Sequence, residues 1–83
     1  MLYAAQIRAA RALLAWRQED LAKASKVGLA TIQRIEQAGG IAMANVSTLL
    51  RLQEALEKAG IRFLDADQAG GVGVRWDGKA QPR

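Results

Sequence analysis

The sequence predicts one mainly α-helical domain with a C-terminal β-hairpin, and three observations support this fold class. The 83 residues are 51% apolar with a single proline, a composition that favours an ordered helical chain over a disordered one. Up to Ala59, apolar side chains recur at the spacings of three and four that helices require. Residues 61–64 and 72–76 instead alternate, as strands do. A chain of this length has room for one core.

Two helices are predicted before the first turn. In residues 3–15, Ile7, Ala10 and Leu14 fall on one stripe, and helix-forming residues dominate the segment. The next segment, QEDLAKAS, begins at Gln18 and has acidic residues in its first turn. Acidic side chains favour the positive end of a helix dipole. This segment therefore predicts a short second helix.

A third helix is predicted after the short segment KVG. From Leu29 to Gln37, the side chains of Ile32 and Ile35 share one face, and the polar residues between them point elsewhere. We expect this helix to stop at Gly39-Gly40, because glycine accepts the left-handed conformation that helix ends often need.

A fourth helix is predicted from an N-cap at Asn45 to about Ala59, with Gly60 ending it. Its apolar side chains predict a stripe that faces the core. The members of that stripe are Val46, Leu49, Leu50 and Leu56.

The alternating segments IRFL and VGVRW, with turn residues DADQAGG between them, predict an antiparallel hairpin over residues 61–76. A lone two-stranded ribbon is marginal in water, so it should pack on the helices or extend a sheet across a dimer axis. We expect it to serve in dimerisation or docking. Its candidate contact residues are Ile61, Phe63, Val72, Val74 and Trp76. Residues 77–83 are predicted to be a flexible tail.

The second and third helices together fit a helix-turn-helix unit. In such a unit the second helix projects from the body so that its outward side chains can enter the major groove of DNA. Its inner face must pack on the other helices. The residues spaced to hold the crossing are Leu21, Ala22, Val27, Ile32 and Ile35.

The run QEDLAKASKVGLATIQRIE resembles the lambda-repressor-like, Xre-type family of helix-turn-helix DNA-binding domains. Within it, QEDLA and ATIQRIE are the most specific parts, and the resemblance covers most of residues 4–60. It implies a domain of four to five helices over residues 1–60. The segment ALEKAGIRFLDADQAGGVGVRW is similar to the short C-terminal extension of many small bacterial members.

The resemblance also implies roles for single residues. Residues 29–36 would enter the major groove, and Gln18 at the start of the second helix would contact a phosphate. Arg11 and Glu36 would form an ion pair that braces the recognition helix. The base-reading surface would consist of Leu29, Ala30, Thr31, Gln33 and Arg34.

Four positions depart from the family pattern. Lys26 stands where the turn usually has glycine, so either it adopts a left-handed conformation, at roughly 1 kcal/mol, or the turn differs. Gly28 and Arg17 replace the usual serine or threonine caps, and Leu29 replaces a residue that is often polar. Lys26 and Arg17 offer additional phosphate contacts. Such contacts favour backbone binding that depends strongly on salt.

Enzymatic activity is not expected, because the chain has no histidine and no cysteine. The commonest general base and the most reactive nucleophile are therefore missing. No cofactor or metal is expected either. The segment DADQAGG begins like a calcium loop, but Ala69 and Trp76 stand where oxygen ligands belong. The glycines of GGVGV do not follow a strand–helix phosphate unit.

The net charge of +4 suits an anionic partner, and residues 1–36 hold six basic and three acidic side chains. No apolar run approaches the roughly 20 residues of a membrane-spanning helix, and the N-terminus lacks the order of a signal peptide. We expect a cytoplasmic protein without a membrane partner. For Trp16 and Trp76 we expect core or interface packing rather than stacking on bases.

Two functions remain open at this point. The first is a small bacterial or phage transcriptional regulator, most simply a repressor, that binds double-stranded operator DNA as a homodimer. The alternative is a protein-interaction module, such as an antitoxin that binds a toxin or an adaptor, in which DNA binding is secondary or lost. The departures at Lys26, Gly28 and Leu29 motivate this alternative.

Overall fold

A computed structural model describes residues 2–78, which form four α-helices followed by a two-stranded antiparallel sheet. The elements are α1 (Ala4–Leu14), α2 (Gln18–Ser25), α3 (Leu29–Gln37), α4 (Val46–Lys58), β1 (Ile61–Leu64) and β2 (Gly73–Trp76). The predicted fold class is confirmed, and every element begins and ends within one residue of its predicted range. The expected cause of the end of α3 is wrong, because its C-cap is Ala38 in an extended conformation (φ −67°, ψ 142°) and not a left-handed glycine. Residues 79–83 of the predicted tail lie outside the described residues.

The core is one cluster of apolar side chains to which all four helices and β1 contribute. Its largest fully buried members are Ile7, Leu21, Ile32, Ile35, Leu52 and Leu56. Trp16 and Trp76 are partly buried against this cluster. No helix among residues 2–78 is both long and apolar enough to cross a membrane.

The stripe predicted for α4 is wrong at two of its four positions. Val46 is 72% exposed and Leu50 is 48% exposed, whereas Leu52 and Leu56 are fully buried and Leu49 packs partly against the core. Because a helix has about 3.6 residues per turn, Leu49, Leu52 and Leu56 share one side of α4. Val46 and Leu50 share another side. The helix carries two adjacent apolar stripes, and only packing decides which of them faces inward.

The turn between α2 and α3 contains a left-handed Lys26, which is one of the two conformations expected for it. Lys26 is left-handed, with φ 59° and ψ 31°, and its backbone N–H donates to the carbonyl of Ala22 at 2.9 Å. The buried hydroxyl of Ser25 donates to the carbonyl of Leu21 at 2.7 Å and accepts from the N–H of Val27 at 3.2 Å. The serine side chain thus pairs the N–H of Val27 just beyond the helix, while its own hydroxyl donates a hydrogen bond back to the carbonyl four residues earlier.

The hairpin docks onto the helices of its own chain. Ile61 pairs with Trp76 and Phe63 with Val74 across the two strands, which places these four side chains on one face. Ile61 is buried, and the other three pack against the core. Val72 precedes β2 and is exposed.

Gln6 connects the hairpin to α1. Its side chain is almost completely buried, and its Nε2 donates to the carbonyls of Leu64 at 3.3 Å and Gly73 at 3.0 Å. Its Oε1 accepts from the backbone N–H of Tyr3 at 2.9 Å. One amide therefore holds both strands and the start of α1 together.

The loop and the open end of the hairpin are held by two aspartates. Asp67 Oδ1 accepts from the backbone N–H groups of Ala69 at 2.8 Å and Gly70 at 3.2 Å, as in an Asx turn. Asp77 accepts from Arg75, with Nε–Oδ1 at 2.8 Å. This hydrogen bond lowers the pKa of Asp77, with further lowering by the Arg75 and Arg62 charges, while burial opposes the shift.

Candidate nucleic-acid interface

The outward surface of α3 is exposed at three of its five predicted base-reading residues. Ala30, Gln33 and Arg34 are exposed, and Leu29 and Thr31 are half-buried. These five residues are the predicted base-reading set, and the structure places them together along one helix. They form a short surface of polar and small side chains, with the larger apolar Leu29 at the start of the helix.

The inner side of α3 is anchored in the core. Ile32 is fully buried and Ile35 is 2% exposed. Their burial fixes the rotation of the helix about its axis, because turning the outward residues inward would expose both isoleucines. The outward direction of Gln33 and Arg34 is therefore a consequence of the two isoleucines.

The C-terminal end of α3 is tied to α1 through Glu36. Its carboxylate accepts from Arg11 in two contacts, Nε–Oε2 at 2.8 Å and Nη2–Oε1 at 2.6 Å. The Arg11 side chain is 19% exposed and the Glu36 side chain 3%. Arg11 also donates to the carbonyl of Trp16 at 3.1 Å, and Arg8 donates to the backbone carbonyl of Glu36.

The same carboxylate reaches the start of α2. Gln18 Nε2 donates to Glu36 Oε1 at 3.2 Å. A primary amide has two hydrogens on its nitrogen, so this contact leaves a second donor on Gln18. Glu36 thus positions both α3 and a candidate phosphate-binding side chain.

The candidate phosphate contacts lie at opposite ends of α2. Arg17 is the N-cap, and its backbone N–H donates to Asp20 Oδ2 at 2.8 Å. Gln18 is next to it, whereas Lys26 is the C-cap of the same eight-residue helix. At 1.5 Å per residue the two ends are on the order of 12 Å apart. The structure therefore separates Lys26 from Arg17 and Gln18.

Sequence reasoning missed two residues that connect distant elements of the fold. Arg8 contacts the end of α3, and Gln6 fixes the hairpin on α1. The carbonyls that these two side chains bind in α3 and the hairpin lie 28 or more residues away in the chain, so no local pattern identifies them. A glutamine beside the buried Ile7 was the one available hint, since a polar side chain so close to a core stripe needs hydrogen-bond partners.

One family of known proteins matches the chain. A family model described as helix-turn-helix matches residues 7–61, which is more than half of the 83 residues. The matched segment begins within α1 and ends at the first residue of β1, so that most of the hairpin lies outside it. No curated protein and no solved structure matches the chain.

Proposed function

The chain belongs to the lambda-repressor-like helix-turn-helix family of DNA-binding regulators, and we propose that it represses transcription by inserting α3 into the major groove of an operator. The outward surface of α3 carries this proposal. It is accessible at Gln33 and Arg34, and Ile32 and Ile35 anchor the opposite side of the helix in the core. A recognition helix needs both properties to enter a groove without unfolding.

The chemistry of the outward side chains fits base edges. The Gln33 amide can form a bidentate pair with adenine, and the Arg34 guanidinium can pair with guanine or with a phosphate. Ala30 and the Thr31 methyl group can contact thymine methyl groups, and Leu29 adds a further apolar surface at the start of the helix. We infer a short half-site read by these five residues.

Phosphate contacts at both ends of α2 would fix the orientation of the helix. Gln18 retains a free amide hydrogen beside the N-terminal N–H groups of α2, where the helix dipole favours an anion. The exposed side chains of Arg17 and Lys26 supply positive charge. Contacts of this kind carry no sequence information, but they set the register of α3 on the duplex.

A single recognition helix touches only a few base pairs, so we infer that two copies bind two half-sites. The half-sites would then be about 34 Å apart, or one helical turn of DNA. A homodimer gains both affinity and specificity from the second half-site. The operator should therefore be a palindrome.

Selection of bound duplexes from a random pool, at near-physiological salt, tests this function. The proposal predicts an enriched two-fold symmetric motif for the full chain. The same selection with Gln33→Ala and with Arg34→Ala should change the preferred bases at separate positions. Gln68→Ala and Arg62→Ala are matched controls, because these exposed residues lie in the hairpin loop and on β1, and they should leave the motif unchanged.

An absence of any enriched motif would contradict the proposal, and so would a motif that neither α3 variant alters. The first result would favour the alternative of a protein-interaction module. The second would favour backbone binding through Arg17, Gln18 and Lys26 without base reading.

A further inference from the structure

A groove between the end of α2 and α4 is lined by three cationic side chains. Lys26 contributes from the C-cap of α2, and Arg51 and Lys58 contribute from α4. All three are exposed. Ser25 and Ala55 also line the groove, and because both are buried they form its floor. We call this feature the α2–α4 groove.

The charges that line the α2–α4 groove are not balanced within the described chain. Glu54 is the only carboxylate among the lining residues. The ion pairs within residues 2–78 all join other residues, so neither Glu54 nor the three cations take part in one. Like charges held close together repel one another, and an anion that binds between them relieves the repulsion. The groove therefore has the charge pattern of an anion-binding surface.

The backbone at Lys26 gives a second, independent indication. Lys26 has φ 59°, a conformation that glycine adopts without the steric cost of a Cβ. A lysine at this position is therefore less favourable for the fold than a glycine. Costly backbone conformations of this kind are concentrated at functional sites. What the lysine adds at that cost is a positive charge in the groove.

The α2–α4 groove begins next to the recognition helix. Lys26 is two residues before Gly28, the N-cap of α3. Arg51 and Lys58 lie on α4, outside the helix-turn-helix unit, and are seven residues apart. Seven residues are about two helical turns, or on the order of 10 Å. An elongated anion beside the start of α3 can therefore contact several of these cations at once.

We propose that the α2–α4 groove binds the phosphate backbone of DNA beside the half-site read by α3. The inference rests on the proposed function, which brings α3 and hence Lys26 to a duplex. One strand of DNA carries a phosphate about every 3.4 Å along the helix axis, so a span of about 10 Å matches about three phosphates. A row of regularly spaced anions suits three exposed cations better than a single small ion does.

This contact differs from the phosphate contacts at the start of α2. Arg17 and Gln18 are separated from Lys26 by the length of α2, on the order of 12 Å. The phosphates at the two ends of α2 are therefore different ones. Arg51 and Lys58 add contacts outside the helix-turn-helix unit, and these lengthen the DNA segment that one copy holds.

Titrations of DNA affinity at several salt concentrations test the groove. Arg51→Ala combined with Lys58→Ala removes two exposed cations that form no ion pair within residues 2–78, so the fold should survive, as urea denaturation can verify. For this double variant, the slope of log affinity against log salt concentration should fall by about two. The selected duplex and a random duplex of equal length should lose affinity by the same factor, because phosphates carry no sequence information.

Arg62→Ala combined with Arg75→Ala is the matched control. These residues are also exposed, and they face each other across the hairpin. Their removal changes the net charge by the same amount but should leave the slope unchanged. An equal fall of the slope in both double variants would reveal a general effect of net charge and would overturn the groove.

Glu54→Gln should have the opposite effect on DNA affinity. It removes the single carboxylate of the groove and should tighten binding by about threefold at low salt. A loss of folding cannot produce such a gain. Unchanged or weaker binding by Glu54→Gln would contradict the groove.

Ethylation of single phosphates should locate the contact on the duplex. Phosphates whose ethylation weakens binding of the wild type, but not of the Arg51 and Lys58 double variant, should flank the bases that α3 reads. Phosphates at the other end of α2 should remain sensitive with both proteins. Identical patterns for the two proteins would overturn the groove.

An unchanged slope in the Arg51 and Lys58 double variant overturns the inference and leaves the groove available to an acidic protein segment. The enriched motif of the duplex selection would still stand in that case, so the proposed function would survive. Failure of the proposed function gives a different result. No motif is then enriched, yet binding to random duplexes still loses about two units of slope in the double variant, which retains the groove and rejects base reading.

Discussion

The Arg11 guanidinium and the Glu36 carboxylate meet in two short contacts, 2.8 Å for Nε–Oε2 and 2.6 Å for Nη2–Oε1, and so connect the first helix to the end of the third. The pair is largely buried. Removing one member of a buried pair leaves the other charge without compensation. The contact therefore stabilises the position of α3 without itself reading bases.

We expect Arg11→Ala to lower the free energy of unfolding by about 3 kcal/mol, measured by urea denaturation. The exposed pair of Arg17 and Asp20, with Nε–Oδ2 at 3.8 Å, gives the comparison. Arg17→Ala should cost less than about 1 kcal/mol. Equal effects of the two substitutions would show that Arg11 does not brace α3 in solution.

Replacing the left-handed Lys26 with glycine should change both the stability of the domain and the salt dependence of its DNA binding. Lys26→Gly should raise the free energy of unfolding by about 1 kcal/mol, because glycine adopts φ 59° without the steric cost of a Cβ. It should also reduce the slope of log affinity against log salt concentration by about one, because one phosphate contact is lost.

Lys23→Gly is the matched control for this prediction. Lys23 is exposed within α2 and has helical geometry, so glycine there should destabilise the fold by roughly 1 kcal/mol. Opposite signs at the two positions identify the backbone conformation as the cause. The same sign at both would contradict it.

We expect the loss of the Gln6 amide to destabilise the hairpin locally. Gln6→Leu removes the donor to the carbonyls of Leu64 and Gly73 and should cost about 1–3 kcal/mol, since buried acceptors lose their partner. Amide hydrogen exchange should accelerate in β1 and β2 more than in α3. Uniform acceleration over the whole domain would show that Gln6 is not specific to hairpin docking.

We expect the stability of the open end of the hairpin to depend on pH through Asp77. Its pKa lies below the ordinary value of 3.8, chiefly because Arg75 donates a hydrogen bond to the ionised carboxylate. A lowered pKa means that this contact stabilises the hairpin above the ordinary pKa and is lost as the pH falls through the lowered one. An NMR titration should show the shift for Asp77, and Arg75→Ala should return it towards 3.8. An unchanged titration in that variant would exclude the hydrogen bond as the cause.

Most of the local structure could be predicted from the sequence. The acidic first turn after Gln18, the spacing of Ile32 and Ile35, and the N-cap at Asn45 each reflect short-range physics, and the corresponding helices begin where expected. The outward direction of α3 also followed from the two isoleucines. Local patterns were enough because neighbouring residues determine these features.

Features that depend on distant contacts were not predictable from local patterns. The inward side of α4 required knowing what packs on it, since Val46 and Leu50 are as apolar as Leu52 and Leu56. The hydrogen bonds of Gln6 span 58 and 67 residues along the chain. Arg8 likewise has a partner that no local pattern indicates.

The most direct test of base reading by α3 is a double-mutant cycle that combines a substitution at Gln33 with a change at one base pair of the operator. Anisotropy titrations would compare wild type and Gln33→Ala on the selected duplex and on the same duplex changed at the base assigned to Gln33. We predict that the wild type loses about 1–3 kcal/mol on the changed duplex and that Gln33→Ala binds both equally. Full discrimination retained by Gln33→Ala, and by Arg34→Ala at its own base, would contradict the account.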